Sequence, residues 1–77
     1  MDWLQRITNS LADGTGTDGT ELTLDDATRT SILDVARTAS HTSGDRTNAP
    51  LLCYVLGMLA ARGVPPARTI PIVERDA

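Results

Sequence analysis

Thirteen consecutive residues, Ala49-Pro50-Leu51-Leu52-Cys53-Tyr54-Val55-Leu56-Gly57-Met58-Leu59-Ala60-Ala61, carry no charged side chain, in a chain otherwise rich in Asp, Arg and Thr. A helix that is apolar nearly all round has to be covered nearly all round. The run falls short of the roughly 20 residues that cross a bilayer, so it reads as the core or interface helix of a small domain and no membrane contact is expected. The whole chain is 77 residues, one domain spanning residues 1–77. A domain of this size withdraws only about 60% of its unfolded surface from water. Little material is left to cover the apolar run, and a protein partner or a homodimer is expected to complete its burial.

Cys53 is the only cysteine and His41 the only histidine. No disulfide and no Cys/His zinc pattern can be built from them. A lone cysteine in an apolar setting fits a reducing compartment, and the cytoplasm is expected. The start Met1-Asp2-Trp3 is acidic and no apolar stretch follows it, so a signal peptide is not expected. Residues 1–40 hold three Arg against seven acids, and residues 41–77 hold four Arg against three. The first half repels phosphate and the second is too sparsely basic to track it, which argues against a nucleic-acid partner. Lys and Phe are both absent, with a single Trp and a single Tyr, so the core must be built mainly from Leu, Ile, Val and Ala.

The apolar spacing predicts an all-α fold, a small bundle of three helices plus a short C-terminal helix or arm. The first helix is expected at about 2–13, capped by Asp2, with Trp3, Leu4, Ile7 and Leu11 as its stripe and Gly14 as its left-handed stop. Gly14–Thr20 then reads as a flexible loop. The second helix is expected at 24–42, opened by a capping box at Thr23-Leu24-Asp25-Asp26 and stopped by Gly44. Its inward stripe is Thr28, Ile32, Val35, Ala36 and Ala39, with Leu24 and Leu33 beside it. The third, at 49–62, is the apolar one and is expected at the centre. Asn48 is its candidate cap, and Pro50 is tolerated in a first turn. Leu51, Leu52, Val55, Leu56 and Leu59 form its expected inward side, and the small residues Cys53, Gly57, Ala60 and Ala61 its other side. Residues 66–75 read as a short helix or an extended arm, because Pro71 disfavours a continuous helix.

Candidate sites are few. Gly14-Thr15-Gly16-Thr17-Asp18-Gly19 has the G-x-G-x-x-G spacing, yet it follows a helix where the dinucleotide fingerprint requires a strand. Asp13, Asp18 and Glu21 lack the alternating ligands of a calcium loop. Asp34, Arg37 and His41 lie at three- and four-residue steps on one polar side of the second helix. His41 there is either a C-terminal cap or, with Arg37 and Arg46, part of a small anion- or cofactor-binding site. Cys53 reads as a small buried hydrophobe. Small residues on the third helix allow another helix to approach closely. The first helix of the same chain, with Trp3 packed beside it, is one candidate to fill that face. The other is a partner meeting a surface of Cys53, Tyr54, Gly57, Met58 and Ala61.

Ile32-Leu33-Asp34-Val35-Ala36-Arg37-Thr38-Ala39-Ser40-His41, then Arg46, then Ala49-Pro50-Leu51 opening the apolar helix to Gly63, resembles a small uncharacterised actinobacterial-type helical domain. That domain occurs alone or fused behind MobA-like nucleotidyltransferases of molybdenum-cofactor synthesis. Leu33-Asp34, Ala36-Arg37, His41, Arg46 and Ala49-Pro50-Leu51 carry the match, and an opening helix that begins with Trp fits it too. Ser40 in place of Ala, a longer loop at Gly14–Thr20 and Pro71 depart from the pattern. The resemblance implies a link to molybdenum-cofactor synthesis or molybdoenzyme maturation and assigns no activity. No catalytic set, cofactor or metal site is expected from the residues. The expected function is a non-enzymatic cytoplasmic accessory or interaction module.

Overall fold

The computed structural model describes residues 2–77, all its regular structure helical; Met1 lies outside them. α1 (Trp3–Thr15) is opened by Asp2, whose Oδ1 accepts the Gln5 N–H at 2.7 Å. It closes on Gly16 at φ 68°. Gly14, the expected stop, stays helical: the Thr15 hydroxyl donates to the Leu11 carbonyl at 2.7 Å and the Thr17 N–H to the Ala12 carbonyl at 2.9 Å, which carries the helix past it. A 3-10 turn at Gly19–Leu22 interrupts the expected loop, because Asp18 Oδ1 accepts both the N–H and the hydroxyl of Thr20 at 2.9 Å.

α2 (Asp26–Ser43) is capped by Asp25, which accepts the Thr28 N–H at 2.7 Å. Thr23, the expected cap, donates its hydroxyl back to the Gly19 carbonyl and takes no part in the helix start. Gly44 ends α2 at φ 72°. α3 (Asn48–Ala60) begins with Asn48 already helical, and its cap position Thr47 makes no capping bond from its side chain. That hydroxyl is occupied elsewhere, on Asp45. Gly63 turns the chain after α3 at φ 89°.

α4 (Pro66–Asp76) is a helix of 11 residues that runs through Pro71. Proline at position 71 deletes the N–H that would bond the Ala67 carbonyl. Both residues are exposed, so the freed carbonyl faces water and the break costs little. On the other side Pro66 and Thr69 are buried and Ile70 and Val73 half-buried, one continuous inward stripe at helical spacing. The buried Thr69 hydroxyl is satisfied by the Pro66 carbonyl at 2.6 Å.

α2, not α3, is the central helix: α3 and α4 both pack on it and on each other. Its inward line is Ser31, Val35 and Ala39, all buried. These are small at one-turn spacing, which lets two helices approach one face. Val35 of α2 and Leu56 of α3 each keep only 2% of their surface exposed. Thr28, Ile32 and Ala36 form the half-buried margin, while Leu24 and Leu33 stay exposed.

α1 joins none of this packing. Among the other elements, only the 3-10 turn comes within 8 Å of its backbone, Cα to Cα. Its Gln5–Thr8–Ala12 side is the covered one, and Ala12 alone is buried. Among the described residues a single ion pair at 3.5 Å, Arg29 Nη2 to Asp2 Oδ2, ties the arm to α2. The expected docking of the first helix, with Trp3, on the small face of α3 does not occur. The connection has laid its own 3-10 turn on α1 instead.

Candidate functional site

Arg37, His41 and Arg46, the residues with the most chemistry in sequence, are all exposed. Arg37 spends its guanidinium on Asp34, one turn back, at 3.5 Å. His41 sits exposed in the last turn of α2, and Arg46 is exposed in the turn that follows. Among the described residues no hydrogen bond or ion pair joins the three. The turn carrying Arg46 is organised around a carboxylate: Asp45 Oδ1 accepts the Thr47 hydroxyl at 2.6 Å and its N–H at 2.9 Å. Those two bonds hold the Asp45 carboxyl below its ordinary range. A fixed negative charge beside Arg46 disfavours an anion there.

The Gly14–Gly19 stretch divides into helix, left-handed cap and 3-10 turn, with no strand before it. Asp18 is committed to Thr20. Among the described residues no group of three His, Cys, Asp or Glu side chains gathers as a metal site, and no helix is long and apolar enough to cross a membrane.

The outward face of α3 is the feature that needs an explanation. Tyr54 is 73% exposed and Leu51 64%, with Val55 and Met58 also open to water. These four occupy positions i, i+3, i+4 and i+7, a complete apolar stripe. Gly57 beside them is so open that an added Cβ would meet nothing within 4 Å. Ala61 is exposed at the same end. Cys53 departs from the expected partner surface. It lies with Ala49, Leu52, Leu56 and Leu59 on the side turned toward the bundle, half-buried. Burial pushes its thiol pKa up, the opposite of what a reactive cysteine requires. Leu51 and Val55, expected inside, take its place outside.

Around the end of that stripe the last turns of α2 and α4 and the first of α3 enclose an open groove of about 470 Å³. Ala39, Leu51, Leu52, Val55 and Val73 line it, with Thr42, Ser43, Asn48 and Ala77 at the rim. No charged side chain is among them, so the groove suits apolar matter and offers no side chain for acid–base chemistry.

The family model of a domain of unknown function, DUF6457, matches residues 1–76. The chain belongs to that family. No curated protein and no solved structure matches it. What the DUF6457 fold adds to its sequence is Val73 and the groove, which become visible only once α4 is known to run unbroken through Pro71. The alternation Pro66, Thr69, Ile70, Val73 was the available signal. Which side of α3 faces out had no signal, since a helix apolar all round has no preferred side.

Proposed function

We propose that this domain is a non-enzymatic protein-interaction module that works through the outward face of α3. The observation that carries the reading is the open stripe of Leu51, Tyr54, Val55 and Met58 on the most apolar helix of the chain. Large apolar side chains grouped on one face, beside a groove without charge, mark a surface that is covered when the protein works. The resemblance to domains fused behind MobA-like nucleotidyltransferases supplies the setting. In this reading the module is a cytoplasmic accessory of molybdenum-cofactor synthesis or molybdoenzyme maturation.

The test is the double variant Tyr54→Glu/Met58→Glu, studied at concentrations where the protein is monomeric. A face that covers nothing inside the domain tolerates charge, and surface changes of this kind stay within about 0.5 kcal/mol. The melting midpoint should therefore move by no more than about 4 °C, while association through the face is lost. Collapse of the fold in the variant would show that the stripe is core and would end this reading.

A further inference from the structure

Two helices of this chain carry uncovered apolar stripes, and they match. α1 and α3 are each 13 residues long, about 20 Å at 1.5 Å per residue. α1 exposes Trp3, Leu4, Ile7 and Leu11, and α3 exposes Leu51, Tyr54, Val55 and Met58. These eight are two-thirds of the twelve large apolar side chains left in water among the described residues, so the surplus is concentrated and not scattered.

The surplus has the size of an interface. A compact monomer of 8.2 kDa is expected to expose about 4,500 Å². This chain exposes 5723 Å², about 1,200 Å² more than that scaling allows. A stable interface needs about 800 Å² from each partner. The radius of gyration tells the same story: 13.4 Å against about 11.5 Å for a compact chain of this length.

Charge selects the pairing. Residues 2–29, which hold α1, its turn and the Arg29 that pairs with Asp2, carry six carboxylates against Arg6 and Arg29. Residues 45–68, which hold α3 and its flanks, carry Arg46, Arg62 and Arg68 against Asp45 alone. Pairing α1 with α1 would bring acid to acid. Pairing α3 antiparallel with itself would set Arg46 against Arg62. Pairing α1 with α3 joins opposite signs.

We propose that α1 of one copy lies antiparallel along the outward face of α3 of a second copy, and reciprocally, giving a two-fold dimer. The antiparallel sense opposes the helix dipoles. It sets Leu4 over Met58 and Leu11 over Leu51. Each copy supplies the helix the other lacks, as an isologous contact does. The proposal names the partner for the α3 face and rests on the interaction reading above.

Sedimentation equilibrium decides it. The wild-type chain should form a dimer of twice 8.2 kDa, and Ile7→Glu and Tyr54→Glu should each raise its dissociation constant about 30-fold or more. In a Cys53→Ala background, mixing Leu11→Cys with Leu51→Cys protein under mild oxidation should give a disulfide-linked heterodimer. A monomer at every concentration overturns the proposal. So does a dimer indifferent to Ile7→Glu, or a disulfide formed only within one chain carrying both cysteines. A monomer that tolerates Tyr54→Glu/Met58→Glu retires self-docking alone, whereas a monomer that those changes unfold retires the interaction reading with it.

Discussion

In the α2–α4 bundle, Val35 and Leu56 are withdrawn from water almost completely, and Ser31, Ala39, Pro66 and Thr69 are buried around them. In the α1 arm only the methyl of Ala12 is buried, while Trp3 remains 65% exposed. The bundle is held by burial. The arm is held by short-range bonds: the Asp2 cap, the Thr15 back-bond, the Asp18 turn and one exposed ion pair to Arg29. The arm's stripe is apolar too, yet none of its four large side chains is buried in the single chain: Trp3 is 65%, Leu11 57%, Leu4 40% and Ile7 38% exposed. Amphipathicity therefore tells where a helix is able to pack, and only the connection tells whether it does so within its own chain.

The sharpest break between the two regions is a matched truncation. Leu56→Ala should cost about 2–5 kcal/mol, since it opens a cavity at a position only 2% exposed. Leu11→Ala in the dilute monomer should change stability by less than about 0.5 kcal/mol. Urea unfolding of both variants measures the contrast, and equal costs would mean that α1 belongs to the core. Next in size is Gly44→Ala at the end of α2. Its φ of 72° places a Cβ in the left-handed region, at a cost of about 1–2 kcal/mol, which thermal unfolding reads directly. Gly57→Ala should act in the opposite direction. Nothing stands within 4 Å of the new methyl, and replacing a mid-helix glycine stabilises by about 0.5–1 kcal/mol. Loss of stability in the dilute monomer would show that something covers α3 there.

The smallest effect separates the regions by pH. Asp2, Asp18, Asp25 and Asp45 all have carboxyl pKa values lowered below 3.8 by backbone N–H or threonine donors. A carboxyl lowered in the fold stabilises it above its unfolded value and loses that contribution as pH falls through its folded value. Three of the four lie on the arm or at its junction with α2. Below about pH 4 the arm should loosen before the bundle, so helical circular dichroism should decline ahead of the main thermal transition. A single concerted loss would place α1 in the same cooperative unit as α2–α4.

Much of the fold was legible because the signals were local. Asp2 as a cap, Gly44 as a stop and the Val35–Ala39 line each follow from one or two residues and a fixed spacing. Three features were not. The stop of α1 moved from Gly14 to Gly16, where the Thr15 hydroxyl and the Thr17 N–H bond back to the Leu11 and Ala12 carbonyls, a competition that spacing does not encode. α4 survived Pro71 because the affected carbonyl faces water, which depends on how α4 sits on α2. The orientation of α3 was hidden because its large and small sides are both apolar: Cys53 turned in and Leu51 and Val55 turned out. Arg37, His41 and Arg46 are all exposed, and Arg37 holds Asp34, a pairing that their positions in the sequence allowed but did not fix.

The single tryptophan offers the most direct test of the central claim, that α1 is uncovered in one chain and covered only by a second copy. Its emission should be that of a water-exposed indole at high dilution. It should move to the blue as concentration rises through the dimer equilibrium, in step with the sedimentation mass, and Tyr54→Glu should abolish the shift. Blue emission that does not change with dilution would mean that Trp3 is already packed within its own chain and would contradict the account.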